Sequence, residues 1–434
     1  MKTVELLFWI ALLLVFYTYL GYGLLLAPAV WLRERIRPRR AAALPDELPH
    51  VTLVIAAYNE EAVVDVKMRN CLALDYPADR LRILWVTDGS TDGTNERLAA
   101  WSRADVLFEP ARRGKTAALN RSIGCIDTPL VIFTDANTML NPEAVREIVR
   151  RFDDPAVGCV AGEKRVRPRP DADTAATGRQ GNDEAGMPSD DPDKTRTESG
   201  AALTSDADGT SDPQANAAAT EGLYWRYESL LKQGDDRFHT AVGAAGELFA
   251  VRRELYRPLP EDTLLDDFVL SMRIARAGYR IAYCNTAWAE EEPSADMREE
   301  GKRKTRIAAG GLQSVWRLRG LLLPWPRPLL WWQYLSHRVL RWTLAPLMLA
   351  LLLPLNIVLV AGSPHPLTYG ILLACQLLFY AAALVGYLSA RRGRNGGICA
   401  VPYYFLFMNL HVFAGIVYLC RHKGNGAWEK ARRA

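Results

Sequence analysis

An apolar run from about Leu6 to Trp31 ends directly in Arg33, Arg35, Arg37, Arg39 and Arg40. A run of roughly 20 or more apolar residues is long enough to cross the hydrocarbon core of a bilayer. Inside that core the backbone must satisfy its own hydrogen bonds, so the run has to be helical. A secretory signal peptide is the competing reading, but it has a shorter apolar region and a small-residue cleavage site. The arginine flank favours a retained anchor whose far end faces the cytoplasm. Three more candidate spans lie at about Val339–Ala361, Leu367–Ser389 and Ile398–Cys420, with Pro346 and Pro354 inside the first. Ahead of them, Leu321–Arg338 carries Trp325, Trp331, Trp332 and Tyr334 among Arg and Pro, a mixture suited to the headgroup layer. Arg391, Arg392 and Arg394 place one connecting loop inside. A full last crossing then puts Arg421, His422 and Lys423 outside, so the sequence leaves that crossing open.

The mean composition, 49% hydrophobic and 24% charged with a net charge of +4, conceals this segregation. It excludes a wholly soluble protein, a pure membrane bundle and a dedicated nucleic-acid binder, which carries a strong basic excess. Seven dispersed cysteines without a CxxC pair read as reduced packing residues, not as a disulfide framework or zinc site. The expected organisation is an anchor at 1–32, an α/β domain at 45–317, an interfacial aromatic segment at 318–338, a membrane bundle at 339–420 and a basic tail at 421–434. Residues 168–219, rich in Asp, Ala, Thr, Gly and Ser, bury too little apolar surface to offset their ordering entropy. They are expected to be a disordered acidic insertion.

Between anchor and aromatic segment, strand-like and helix-like patterns alternate. Val51–Ala57 is a continuous apolar run suited to a buried parallel strand. Glu60–Leu74 has helical spacing; Leu81–Val86, Asp105–Phe108 and Leu130–Thr134 read as further strands. Helices are expected after the Asp88–Thr94 turn, over Lys115–Ile123, and over Asn141–Arg151 with Pro142 in the first turn. Such alternation predicts a mainly parallel sheet, whose ligands bind beyond the carboxyl ends of the strands. Those exits carry Ala57-Tyr58-Asn59-Glu60, Thr87-Asp88 and Asp135-Ala136-Asn137.

A single Asp after a strand is more often a helix cap than a catalyst; three polar exits on neighbouring strands point to a site. Asp135 and Asn137 offer two oxygen ligands to a hard ion such as Mg²⁺. Arg112-Arg113-Gly114-Lys115-Thr116 concentrates positive charge before a helix, where phosphate is favoured. It is not a P-loop, because Glu109 stands where that motif needs its first glycine. Adjacent Asp266 and Asp267 exceed what helix capping explains, and neighbouring like charges raise at least one pKa, as a general base requires. The basic stretch Arg298–Arg306 suits either lipid headgroups or a leaving phosphate.

In order and spacing these pieces resemble glycosyltransferase family 2, in particular its membrane-embedded, inverting polysaccharide-synthase-like members (cellulose, poly-N-acetylglucosamine and hyaluronan synthase-like). The matching segments are Ala57–Glu61, Val86–Asp92, Arg113–Asn120, Asp135–Asn137, Gly243–Arg253, Asp266–Leu270 and Arg303–Gln313. The resemblance implies a GT-A fold, a nucleotide-sugar donor, usually uridine-linked, and Mg²⁺ or Mn²⁺. It implies donor contacts from Ala57, Tyr58, Glu60, Asp88, Lys115 and Asp135, and metal contacts from Asp135 and Asn137. Asp267 would be the base, with Asp266 beside it, and Arg303 and Arg306 would form the arm near donor and acceptor.

Three departures stand out: Asn137 ends the Asp-x-Asp motif, Asp266 replaces the usual Glu, and Arg303-Lys304-Thr305-Arg306-Ile307 lacks both Gln and Trp of the Gln-x-x-Arg-Trp arm. The last puts processive polymerisation in question more than transfer itself. The implied function is an inverting multi-pass enzyme of the cell (inner) membrane with a cytoplasmic catalytic domain. It would act on a growing polysaccharide or lipid-linked acceptor, beside membrane lipids and accessory biosynthesis proteins, without nucleic acid. Single transfer to polyprenyl phosphate and a non-catalytic scaffold are the alternatives.

Overall fold

The computed structural model describes residues 1–38, 42–166, 213–294, 297–392, 394 and 396–421, with backbone alone at 213–223. Its centre is an eight-stranded sheet in the order β3-β2-β1-β4-β7-β6-β8-β5. The strands are β1 (Val51–Ala57), β2 (Leu81–Asp88), β3 (Ala104–Glu109), β4 (Leu130–Asp135), β5 (Met139–Leu140), β6 (Val157–Val166), β7 (Leu248–Arg252) and β8 (Arg280–Glu291). The β1–β2, β2–β3 and β1–β4 pairs are parallel, as the alternating pattern predicts. Beyond β4 the sheet is mixed: β7 runs antiparallel to both β4 and β6, β8 is parallel to β6, and β5 is antiparallel to β8.

Burial explains why β1 lacks polar alternation. Val54 faces one hydrophobic core and Leu53 and Ile55 the other, so both faces of the strand are covered. Covering helices are α2 (Val64–Leu72), α3 (Thr94–Ala99), α4 (Lys115–Ile123) and α5 (Ala144–Arg151). In α5 the buried Val145, Ile148 and Val149 follow the i, i+3, i+4 spacing of a one-sided helix. It begins at Ala144, not Asn141, because Asn141 is spent on β8: its side chain accepts from the Trp288 N–H at 2.8 Å and donates to the Thr286 carbonyl at 3.0 Å.

Helix α6 (Pro213–Phe238) leads back to the sheet, and its first residues are ones the sequence assigns to the insertion. The rest of that insertion and the tail beyond Arg421 lie outside the described residues. Helix α7 (Asp266–Ala277) ends at Gly278, whose φ of 113° is the left-handed geometry that closes a helix. Helix α8 (Met297–Arg317) follows β8. Helix α9 (Pro328–Tyr334) continues through a π turn at Leu335–Val339.

Among the described residues, four helices are long and apolar enough to cross a membrane: α1 (Lys2–Ile36), α10 (Leu344–Gly362), α11 (Pro366–Arg391) and the segment Gly397–Arg421, which contains α12 (Ala400–Arg421). Leu13, Leu378 and Leu410 stand 62%, 70% and 63% exposed on them. Phe8 and Ala11 of α1 pack with Leu352 and Leu359 of α10. Farther along α1, Tyr22, Leu26 and Val30 pack on Leu231 of α6, which ties the helical part to the sheet.

Candidate active site

The exits of β1, β2 and β4 lie side by side, as their parallel register requires. At the β2 exit, Asp88 is 4% exposed and is turned onto the neighbouring loop. Its Oδ2 accepts the backbone N–H groups of Arg113 at 3.0 Å and Gly114 at 2.6 Å, and Arg121 lies 3.7 Å from Oδ1. Asp88 thereby folds the basic loop and fixes where α4 begins. Gly89 is needed beside it: its φ is 69°, and a Cβ there would stand 2.6 Å from the Arg112 nitrogen. At the β1 exit the Arg112 guanidinium stacks 3.8 Å from the Tyr58 ring centre, and the Glu60 N–H donates to Thr94 Oγ1 at 2.9 Å.

Lys115, first residue of α4, reaches across to the β4 exit, where its Nζ meets Asp135 Oδ1 at 2.5 Å. The third party is Gly246, in the turn before β7. A Cβ built on it would lie 3.1 Å from Lys115 Nζ and 3.5 Å from Asp267 Oδ2. Lys115, Asp135 and Asp267, distant in sequence, therefore face one small region kept open by the absence of a side chain. Asp266 is buried beside them, and its Oδ2 has no hydrogen-bond partner among the described residues.

All four charged groups line one cavity of about 800 Å³, together with Arg303 and Arg306 of α8. Ala57, Tyr58, Glu60, Asp88 and Asn137 lie outside that lining. Asn137 instead places its amide 3.5 Å from Glu291 Oε1. Arg303 is paired with Glu300 at 2.9 Å, a buried acid that burial pushes up but Lys304 and Arg303 hold well below the usual range.

The electrostatics divide sharply. Removal from bulk water, then the neighbouring Asp266 charge, raises the Asp267 pKa to about 7, against the opposing pull of Lys115. Burial acts against the Lys115 ammonium, but Asp135, Asp266 and Asp267 outweigh it and keep Lys115 charged. The site thus holds a firm cation beside a carboxylate poised to take up a proton near neutrality.

Sequence reading misses a neighbouring cluster. Lys164, 4% exposed on β6, bonds Glu247 at 2.6 Å and also Glu291, and Trp225 of α6 stacks 4.9 Å from its Nζ. Glu247 sits one residue after Gly246, within the Gly243–Arg253 match, so its position was available as a signal. Trp225 follows the low-complexity insertion and carries no motif.

Residues 49–310, well over half of the chain, match the family described as glycosyltransferase like family 2, and residues 211–411 match glycosyl transferase family group 2. The chain belongs to glycosyltransferase family 2. Among curated relatives, poly-beta-1,6-N-acetyl-D-glucosamine synthase of Staphylococcus aureus is 33% identical over 126 residues, 28% of this chain and 30% of that protein. Beta-monoglucosyldiacylglycerol synthase of Synechocystis sp. is 32% identical over 124 residues, 27% and 26% of the two chains. The matched segments thus span less than a third of these relatives' length. A mannosyltransferase from Pyrobaculum calidifontis, solved in complex with GDP-Man and Mn²⁺, superimposes with a TM-score of 0.65 at 21% identity, covering 96% of this chain and all of the other. The family 2 sheet is therefore the GT-A fold that the motif order leads one to expect.

Proposed function

We propose that this protein transfers a sugar from a nucleoside diphosphate donor, uridine-linked by the family resemblance, onto an acceptor hydroxyl with inversion. The observation that carries the reading is the meeting of Lys115, Asp135 and Asp267 around Gly246 in one cavity. Asp267 takes the proton from the acceptor hydroxyl as its oxygen bonds to the anomeric carbon. The bond from that carbon to the diphosphate breaks on the opposite face, and a single displacement inverts the centre. Lys115 would hold the departing charge, and Arg303 and Arg306 of α8 line the same cavity.

A divalent ion fits this scheme in a specific way. Among the described residues no group of three His, Cys, Asp or Glu is arranged to hold a metal. Asp135, half-buried and facing the cavity, supplies one carboxylate, while Asn137 lies outside the cavity lining with its amide toward Glu291. Mg²⁺-like ions are held by one or two carboxylates plus substrate phosphates, so this sparse set suits an ion that arrives with the donor. When bound, the ion supplies charge neutralisation at the diphosphate. Mn²⁺ in the mannosyltransferase structure supports the same choice.

The four apolar helices and the arginine flank of α1 support a multi-pass protein of the cell membrane with the sheet on the cytoplasmic side. The deciding experiment incubates the full chain in detergent with UDP- and GDP-sugars and Mn²⁺ or Mg²⁺. Release of the nucleoside diphosphate that Asp267→Asn suppresses in transfer but not in donor binding is the expected result. Failure to bind, hydrolyse or transfer from any donor would overturn the proposal.

A further inference from the structure

One face of α6 has no part in the chemistry at Asp267. Trp225, Glu228 and Lys232 recur along it at helical spacing, and all three line the cavity. Lys232 is 5% exposed, yet among the described residues its ammonium has neither a hydrogen bond nor an ion pair. Its neighbours are rings: Trp225 at 5.9 Å and Tyr283 at 6.0 Å to the ring centres. The acids within electrostatic reach are each held by other groups. Glu228 faces Arg338, Arg341 and His337, Glu247 bonds Lys164 at 2.6 Å, and Glu163 accepts the hydroxyls of Ser229 and Tyr283. Burial pulls the Lys232 pKa down and Arg338 adds to the fall, against the resistance of Glu228, Glu247 and Glu163.

A buried ammonium without a counter-ion is destabilising, and contact with aromatic faces offsets only part of that. Packing alone would be served as well or better by an apolar side chain of similar length. A cation kept in this state on a cavity wall finds its partner in whatever enters the cavity. That partner is not the diphosphate that Lys115 faces. From Lys115 and Asp267 the wall runs through Gly246 to Glu247, then by way of Lys164 to Trp225, 4.9 Å from the Lys164 Nζ, and only then to Lys232. Along it the carboxylates of Glu247 and Glu291 line the cavity and can accept from sugar hydroxyls.

Resting on the transferase reading above, we infer that the acceptor is an acidic sugar: its hydroxyl meets Asp267, and its carboxylate or phosphate pairs with Lys232.

The test uses the full chain in detergent with labelled, uncharged sugars on UDP and GDP and with Mn²⁺. The acceptor probes are methyl β-glucuronide, glucose 6-phosphate, neutral methyl β-glucoside and phosphatidylglycerol vesicles, with inorganic phosphate as a competitor. One or both acidic sugars should be glycosylated, with a KM about tenfold or more below that of the neutral glucoside. Lys232→Met should erase that difference by raising the KM for the acidic sugar while kcat changes little, and Lys232→Arg should keep it. Because Lys232→Met leaves no partner behind, its Tm should hold or rise. Lys232→Gln makes the same measurement if the methionine variant fails to fold.

Equal KM values for acidic and neutral sugars would overturn the inference, as would an acidic preference that survives in both Lys232→Met and Lys232→Gln. Inorganic phosphate competing as strongly as the acidic sugars would mark an adventitious ion only, and label appearing only in the lipid vesicles would place the anion elsewhere; either result overturns it. A wild-type protein that neither binds nor hydrolyses any donor would instead remove the transferase reading itself, and this inference with it.

Discussion

Two of the buried charge clusters among the described residues are tuned in opposite directions. In the first, two acids, Asp266 and Asp267, share one nearby lysine, whose Nζ is already bonded to Asp135. In the second, Glu228 of α6, 1% exposed, faces Arg338, Arg341 and His337, and His337 also pairs with the buried Asp235. Burial pushes both Asp267 and Glu228 upward. At Glu228 the surrounding cations win and hold the carboxyl well below its usual range; at Asp267 the neighbouring acid adds to burial and the pKa reaches about 7. Compensation makes a fastening, and undercompensation makes a group able to exchange a proton.

The difference can be broken by substitution. Asp267→Asn should lower kcat for transfer by roughly 10²–10⁴, with donor affinity retained in a titration of the purified protein. A comparable loss of donor affinity would place Asp267 with the fastenings. Glu228→Gln should do the reverse. Removing one partner of a buried charge set costs roughly 3–5 kcal/mol, visible as a lower Tm in detergent, while the pH midpoint of activity stays in place.

Lys115→Met removes the cation that opposes the rise at Asp267. Donor turnover should fall by about tenfold or more, and the acid limb of the pH profile should move upward.

The smallest effect is the most discriminating. Wild-type transfer should rise with pH through about 7 as Asp267 loses its proton. Asp266→Asn removes the like charge, lowers the Asp267 pKa, and should move that limb to lower pH by on the order of one unit. The stability consequence has the matching sign. A carboxyl raised in the folded state binds a proton that the unfolded chain has already released, so its stabilising contribution is present at acid pH. That contribution is lost as pH rises through about 7. At Glu228 the contribution is present at neutral pH and lost on acidification. An unmoved limb in Asp266→Asn would make the acid pair a structural feature.

Local pattern carried much of this arrangement. Val51–Ala57 and Lys115–Ile123 form the strand and helix that their sequences imply, because a strand buried on both faces is a bare apolar run and a glycine-led helix start is a local event. The meeting of Lys115, Asp135 and Asp267 was legible through motif order, although the small space at Gly246 that permits it was not. What escaped reading was non-local. The antiparallel placement of β7 depends on pairing partners more than a hundred residues away. Helix α6 emerges from a compositionally poor insertion, and its Trp225 and Glu228 acquire meaning only from Lys164, Arg338 and Arg341. The aromatic segment before α10 reads as interfacial, yet its Gln333 and His337 reach Asp235 of α6, where Tyr22 of α1 also donates. Asp88 shows the converse: a motif residue whose visible task is to fold a loop.

Helix α8 carries Arg303 and Arg306, and it lies against α12 with almost no cushion. A Cβ at Gly415 would stand 2.8 Å from the Ala309 nitrogen, and one at Gly301 would meet His411 at 2.8 Å. Contacts that close transmit tilt instead of absorbing it. Once α12 sits in a bilayer, a thicker or thinner membrane that changes its inclination carries the guanidinium-bearing helix along. Turnover would then register hydrocarbon thickness, through a joint with no side chain to slip.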